Sequence, residues 1–534
     1  MTLHIDRRAL IKTAAWGIAA IATPGVAQLL AARGFTHGVA SGEPGANSVL
    51  LWTRFVAAGE TQLGIELAAD AEFGRIVARG EATADPERDC TARATVHGLA
   101  PDRWYFYRFT APDGSRSPIG RTRTLPEGMP QRFALGVFSC ANLPFGWFNA
   151  YAHAAARDDL DLIVHLGDYL YEYPRGRYPE IAQALAGRVI EPASEIVALA
   201  DYRLRYASYR ADPDLAALHA AYPMIAIPDD HEFANDAWAG GAQNHQPEEG
   251  DWAVRKAAAI RAHREWLPIS DGSWARYRIG GLATLHRLET RATARMEQLN
   301  YSAVFGQPGD IAAGLRDFRD GVWSDPARTL LGTAQEAWLA EGLRGDTRWH
   351  ILAQQVIMGT VNAAPETEAM LAGAPEEVRA RAGALIAAAR AGLPLNLDAW
   401  DGYPAARARL LRASLEADAD LIVLAGDSHN AWAFDLAHEG ARAGVEFAVH
   451  SVTSPGFEGF LPAAAPADVA ASLIGASPNL RWADTAGRGY MTVTLTPDEA
   501  RAEWLFLDTV RERSTRLARR HSLAARHGAR ALAA

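Results

Sequence analysis

Residues 160–173 read Leu-Asp-Leu-Ile-Val-His-Leu-Gly-Asp-Tyr-Leu-Tyr-Glu-Tyr. The run Leu162–Leu166 is short, apolar and β-branched, the pattern of a buried strand. It stops abruptly at Gly167-Asp168-Tyr169-Leu170-Tyr171, where a carboxylate and phenols become available to a metal. The same arrangement recurs at three distant places. Phe133–Phe138 runs into Ser139-Cys140, and Met224–Ile227 with Pro228 runs into Asp229-Asp230-His231-Glu232. Leu421–Ala425 runs into Gly426-Asp427-Ser428-His429. In sheets built with helical crossovers, ligands collect just beyond the carboxyl ends of strands. Four ends carrying thiolate, carboxylate, phenolate and imidazole groups therefore predict one site assembled from four segments, the signature of a metallohydrolase.

Outward from these strands, residues 131–507 alternate apolar runs with Ala-rich helical stretches. Asn149–Arg157, Asp214–Ala221, Asp251–Trp266, Thr333–Leu343 and Ala405–Ala417 read as helices. The alternation predicts an α/β core of layered sheets with helices outside. Ala374–Leu395 reads as an inserted helical excursion. Residues 35–125 differ: Ser48–Thr53, Leu63–Leu67 and Trp104–Thr110 alternate in period two between Gly, Pro and Asp turns. They predict a small all-β domain of the fibronectin or immunoglobulin sandwich type, the aromatic run after Gly98-Leu99-Ala100-Pro101 locking a corner. The tail, residues 508–534, carries Arg511, Arg513, Arg516, Arg519, Arg520, Arg526 and Arg530, and reads as a basic helix or frayed end.

Residues 1–32 read as an address. Asp6-Arg7-Arg8 precedes the apolar stretch Thr13–Ala22, too short to span a bilayer, and Gly25-Val26-Ala27 and Leu30-Ala31-Ala32 offer cleavage sites. The paired arginines resemble a twin-arginine export signal, so the twin-arginine machinery is an expected partner and the periplasm or medium the expected location. No later run is long and apolar enough for a transmembrane helix. A net charge of −10 over 534 residues argues against a general affinity for nucleic acid, and no module for it is recognisable. The two cysteines are Cys90 and Cys140. Cys140 stands at a strand end and is expected to be a ligand rather than half of a disulfide; Cys90 reads as a surface or half-buried thiol.

The chemistry of the four ends divides by donor type. Asp168 sits where a carboxylate can bridge two cations, and two metals roughly 3.5–4 Å apart clamp the attacking and leaving oxygens of an in-line displacement. Thiolate and tyrosinate donors, Cys140 with Tyr171, favour ferric iron over magnesium. The surplus of carboxylates around Asp230 suits calcium. His231 is suited to protonate a leaving oxygen or to hold phosphate. Asp427 and His429 repeat the pattern at alternate residues beyond a strand.

The order Ser-Cys, HLGDYLYEY (165–173), DDHE (229–232), GDSH (426–429) resembles that of PhoD-type alkaline phosphatases, within the calcineurin-like metallophosphoesterases. FTHGVASGEP (35–44), SVLLWTR (48–54), DYRLRYASYRADPDLAALHAAYP (201–223), RTLLGTAQEAWL (328–339) and LNLDAWDGYPAAR (395–407) extend the resemblance along nearly the whole chain after its leader. It implies an exported hydrolase of phosphate mono- or diesters, acting by metal-activated hydroxide attack on phosphorus with Fe(3+) and Ca(2+). Cys140, Asp168, Tyr171 and His429 would hold iron, Asp168 bridging. Asp230 and Asp427 would hold calcium with help from Asp229 or Asn235. His231 and Arg291 would be the catalytic contacts to phosphate, with Asn235 beside them. The family usually has Asp-Thr-Arg where this chain has Glu289-Thr290-Arg291, and often Asp-Val-His where this chain has Asp427-Ser428-His429. The family also implies a C-terminal helix as a candidate lid. The competing expectations are a non-catalytic, metal-dependent phosphate-binding protein and an esterase for phospholipid head groups or phosphonate esters.

Overall fold

The structure, a computed structural model, describes residues 25–306, 309–364 and 376–533. The paired arginines Arg7 and Arg8 and the apolar stretch after them lie outside the described residues.

The first half of the fold is a nine-stranded sheet. Its centre is three parallel strands, β8 (Phe133–Phe138), β9 (Leu162–His165) and β10 (Pro223–Ala226). Helix Asn149–Ala155 makes the first crossover, and helices Leu199–Arg210 and Pro213–Ala221 make the second. Pro213 at the first helical turn and Asp212 as its cap start the last of these, Asp212 accepting from Asp214 N and Leu215 N. A second, seven-stranded sheet carries β11 (Ala275–Ile279), β12 (Ala283–Arg287), β13 (Trp349–Ala353), β14 (Leu421–Ala425), β15 (Ala431–His438), β16 (Ala441–Ala448) and β17 (Leu480–Asp484), in the order β11-β12-β13-β14-β16-β15-β17.

Period-two burial explains why the two sheets stack. Leu135, Val137, Leu162, Val164, Ile225 and Ile227 point to one face, where they meet Leu285, Ile351, Ile422, Leu424, Val445 and Phe447 of the second sheet. The alternate residues Ala134, Phe138, Ile163 and Met224 pack on the outer helices, as Leu421, Val423 and Ala425 do on the far side. Strands buried on both faces need continuous apolar runs, which is why the four runs in the sequence were so plain. The result is two mixed sheets flanked by helices. The five expected core helices lie at Asn149–Ala155, Pro213–Ala221, Trp252–Trp266, Gly332–Gly342 and Pro404–Glu416, and Glu376–Arg390 forms the helix of the excursion.

The all-β region is an N-terminal two-sheet unit, but it is not detached. Strands β1 (Gly34–Gly42), β2 (Ser48–Val56) and β5 (Thr91–His97) extend the nine-stranded sheet, β1 pairing with β10 at Ser41↔Pro223 and Gly42↔Met224. They face a four-stranded sheet of β3 (Thr61–Ala68), β4 (Ile76–Ala84), β6 (Trp104–Thr110) and β7 (Gly120–Arg123) across Val49, Leu51, Leu63, Ile65, Tyr107 and Phe109. The expected corner is present, for the Tyr105 hydroxyl accepts from Ala100 N at 2.9 Å and donates to Ala100 O at 3.2 Å.

The C-terminal tail departs from expectation. It is not a basic helix and not a helical lid. After β18 (Gly489–Leu495) and β19 (Glu499–Leu507), residues Leu517–Arg526 form β20, antiparallel to β19 and the edge of the nine-stranded sheet. Ala and Arg favour helix intrinsically, but propensity is a weak prior that tertiary pairing overrides. Here β19 offers an unpaired edge and Glu503, 3.6 Å from Arg520, while Asp484 at the end of β17 lies 2.5 Å from Arg519. Charged residues on such an edge also discourage pairing with a second chain.

Candidate metal centre

The four strand ends converge. Donor atoms of Cys140, Asp168 and His429 lie within 4.8 Å of one another, as do those of Asp168, Asp230 and His231, and those of Asp229, Asp230 and Asp427. The sets overlap through Asp168 and Asp230, so they form one continuous donor cluster rather than separate ones. Close backbone approach makes this convergence feasible. A Cβ on Gly167 would stand 2.4 Å from Asp229 Cβ, and Gly167 itself has φ +106°. Cys140, Asp168, Asp427 and His429 have φ of 59°, 53°, 60° and 61°. Left-handed backbone at non-glycine residues is strained and clusters at functional sites.

On the thiolate side, Tyr171 donates to Asp168 Oδ2 at 3.0 Å, and its hydroxyl lies 3.2 Å from His429 Nε2 and 2.8 Å from Ser454 Oγ. His429 Nδ1 is 2.7 Å from Pro455 O, a contact that requires the proton on Nδ1 and turns the Nε2 lone pair inward. Burial, then the Asp168 carboxylate, push both the Cys140 thiol and the Tyr171 phenol well above their usual ranges. On the other side, burial pushes Asp229 and Asp427 up, while Arg291 and His231 overcome the cost of burial and hold Asp230 down at about 2. Asp168 Oδ1 and Asp229 Oδ2 are buried without a hydrogen-bond partner. Orphan carboxylate oxygens, a buried thiol and excess negative potential are what a polyvalent cation satisfies. The residues present fit metals.

Three carboxylates that the sequence reading left without a role complete the framework. Glu172, fully buried, accepts from Asn235 N at 2.8 Å and Asn244 Nδ2 at 2.8 Å, and lies 2.7 Å from His231 Nδ1. Against the cost of burial, Glu172 and Asp230 raise the His231 imidazole well above its ordinary range. Glu232 accepts from Asp168 N (3.1 Å), Tyr169 N (2.6 Å) and Asp229 N (2.7 Å), stitching the loops after β9 and β10 together. Asp398 receives both 2.9 Å bonds from Arg291 Nη1.

Arg291 is deeper among the acids than a phosphate contact needs to be. Its Nε donates to Asp229 at 2.5 Å and its Nη2 to Asp427 at 2.8 Å, with Asp230 3.8 Å away. The turn carrying it is tied down by Glu289, which accepts from the backbone N of Arg291, Ala292 and Thr293 at 2.6–2.7 Å. The Glu-for-Asp departure therefore preserves a cap on this turn. Asn235 stands half-buried beside the site, its Nδ2 donating to Gln243 Oε1 at 3.1 Å. Cys140 and Cys90 are both free thiols, the first buried and the second half-buried.

A core of mixed sheets with a metal-competent cluster at its strand ends defines a metal-dependent phosphoric ester hydrolase once relatives are considered. The family description PhoD-like phosphatase matches residues 135–504, and its N-terminal domain matches residues 20–126. Alkaline phosphatase D of Bacillus subtilis (strain 168) is 31% identical over 524 residues, covering 91% of this chain and 80% of that one. A solved structure described as the structure of PhoD superposes with a TM-score of 0.78 at 29% identity, covering 94% of this chain and 92% of that one. The chain belongs to the PhoD-like phosphatase family. Among the described residues, no helix is long and apolar enough to cross a membrane.

Proposed function

We propose that this is an exported alkaline phosphatase and phosphodiesterase of the calcineurin-like type, whose N-terminal unit is an immunoglobulin-like sandwich. The observation that carries the reading is the set of overlapping donor clusters joined by Asp168 and Asp230. Cys140, Asp168, Tyr171 and His429 would hold ferric iron, a thiolate with a phenolate being a donor pair that favours iron over magnesium. Asp230 and Asp427, with Asp229 or Asn235, would hold calcium, which takes many oxygen ligands.

When bound, the cations supply an activated nucleophile and neutralise charge on the phosphoryl oxygens. The chain's own groups do the rest. Glu172 fixes the ring of His231 through Nδ1, leaving Nε2 free to donate a proton to the leaving oxygen. Arg291 places a permanent charge on the carboxylate side, where a phosphoryl oxygen competes with Asp398 and Asp427 for its forked donors. Positioning and electrostatics carry most of phosphoryl-transfer catalysis, and both are built here from buried, hydrogen-bonded groups. Export rests on the Arg7-Arg8 leader, and the mass of the secreted protein tests it.

The test of the centre is elemental analysis of purified protein together with rates on an aryl monophosphate and its bis-aryl diester. The reading expects iron and calcium in the protein and hydrolysis of at least one ester. A metal-free preparation that binds phosphate without hydrolysing either ester refutes it. Asp168→Asn should lose metal and turnover together.

A further inference from the structure

An aromatic wall runs along the imidazole of His231. Glu172 takes Nδ1 of that ring at 2.7 Å, so Nε2 is the nitrogen that turns towards the donors of Asp168 and Asp230. Two tyrosines flank the imidazole: Tyr171, with ring centroids 4.2 Å apart, and Tyr173, with ring centroids 5.4 Å apart. Tyr178 joins the row, 5.7 Å from Tyr171 and 5.8 Å from Tyr173, and Phe145 holds it edge-on at 5.0 Å. The rings differ in what they still offer. Tyr171 is 1% exposed, and its hydroxyl is engaged with Asp168, His429 and Ser454. Tyr173 and Tyr178 are half-buried, so part of each side chain is open to solvent beside His231. The guanidinium of Arg177 stands 5.8 Å from the Tyr173 ring centroid. That arginine is exposed and, among the described residues, has no ion pair.

We propose that Tyr173, with Tyr178 and Arg177 beside it, is the leaving-group subsite, a stacking platform for a planar aromatic group such as an aryl ring or a nucleobase. The inference rests on the hydrolytic reading above, with His231 serving the leaving oxygen. A substituent on an oxygen at Nε2 must run out along the wall that borders the imidazole. Tyr171 is closed to it by burial and by its hydroxyl contacts, whereas Tyr173 borders the same imidazole and is open. Aromatic faces stack on flat π systems without regard to their hydrogen-bonding pattern, and a guanidinium plane does the same. A quaternary ammonium is the other ligand that tyrosine rings attract. The positive charge of Arg177 opposes it by like-charge repulsion. Tyr173 therefore sets selectivity among esters rather than metal retention.

The test uses metal-loaded full-length protein and three esters: 4-nitrophenyl phosphate, glycerol phosphate and phosphocholine, as monoesters or as their methyl diesters, whichever the wild type hydrolyses. Tyr173→Ala should raise KM for the aryl ester with kcat close to wild type, because stacking holds substrate and transition state alike. Selectivity for the aryl over the glyceryl ester, as the ratio of kcat/KM, should fall about 5–100-fold, the range for loss of one stacking partner. Tyr173→Phe keeps the ring and should retain most of that selectivity. Unchanged selectivity in Tyr173→Ala overturns the proposal. So does an equal loss in Tyr173→Phe, because the hydroxyl rather than the ring would then matter. Loss of metal in Tyr173→Ala also overturns it, since the residue would then brace the loop after β9. A larger loss on phosphocholine than on the aryl ester overturns it in favour of a cation cage. If Tyr173→Ala does not fold, Arg177→Ala decides: it should lower the same selectivity and improve KM for phosphocholine, and no change in either overturns the proposal. Wild-type hydrolysis tests the centre itself, so failure of that reading is distinguishable from failure of this one.

Discussion

Replacing Arg291 with Gln should weaken the metal-free protein and tighten its grip on a divalent cation at the same time. Arg291 is fully buried, with Asp229, Asp398 and Asp427 in hydrogen-bond contact and Asp230 at 3.8 Å. Removing one partner of a buried ion pair leaves uncompensated charge and costs about 3–5 kcal/mol. The same charge repels any cation entering the Asp229–Asp230–Asp427 cluster. At an effective dielectric constant of about 20, a unit charge and a divalent cation about 5 Å apart interact by roughly 7 kcal/mol, and relaxation with screening reduces the net effect to about 1–3 kcal/mol. That corresponds to a roughly 5–150-fold tighter calcium affinity. The assay is calorimetric titration of calcium into chelator-treated protein, paired with thermal melts with and without calcium. The variant should melt lower than wild type when stripped, recover most of the difference when saturated, and hydrolyse an aryl phosphate more slowly. Weaker calcium binding in a folded variant, or an unchanged stripped melt, would refute the electrostatic account of the cluster.

Three further outcomes follow from the geometry. Glu172→Gln keeps the size of the side chain but removes the charge beside His231; turnover should fall about 10–100-fold, less than the roughly 10²–10⁴-fold that general acid catalysis supplies in full because the imidazole itself remains, with metal content intact. A simultaneous loss of metal would mean that Glu172 serves the ligand loops instead. Acid should unfold the protein through its buried histidines: burial first of all lowers His37, His165 and His263 to about 3, against 6.5 when unfolded. Because these groups stay neutral in the fold, the unfolded chain binds the extra protons, and stability present above pH 6.5 is lost as the pH falls below it. Each contributes about 1.4 kcal/mol per pH unit, so His165→Gln should give a visibly shallower decline in melts between pH 6.5 and 4.5, and an equal slope counts against this origin. Deleting residues 509–534 removes β20 and exposes β19, so the truncated protein should aggregate rather than turn over bulky diesters faster; a soluble variant with an enhanced diester rate would restore the lid.

The parts of the centre that the sequence revealed are those that follow from strand burial. A strand covered on both faces must be an unbroken apolar run, so the polar residues just beyond its end stand out, as Cys140, Asp168, Asp230 and Asp427 do. Glu232 is visible in the Asp-Asp-His-Glu loop, yet its three backbone bonds depend on how that loop folds against Gly167. Asp398 follows the helical excursion rather than a strand, and nothing local marks it as the partner of Arg291. The tail's arginines suit a helix or a strand edge equally, and pairing with β19 decides between them. The all-β region was legible as strands but not as a continuation of the core sheet, since the Ser41↔Pro223 pairing joins segments far apart in the chain.

The left-handed backbone at Cys140, Asp168, Asp427 and His429 limits how this centre can diversify. At such positions Asp, Asn, His and Gly are tolerated far better than bulky or β-branched residues. Changing the metal by exchanging donors there adds conformational cost to every trial. Asp229, Asp230 and Tyr171 are not among the positive-φ residues, so their donors can be exchanged without that penalty. If the proposed ligand set holds, a descendant enzyme, natural or engineered, has its easiest route to a new cation through the Asp229-Asp230 loop and Tyr171, while the four strained donor positions stay fixed as the part of the site that cannot drift.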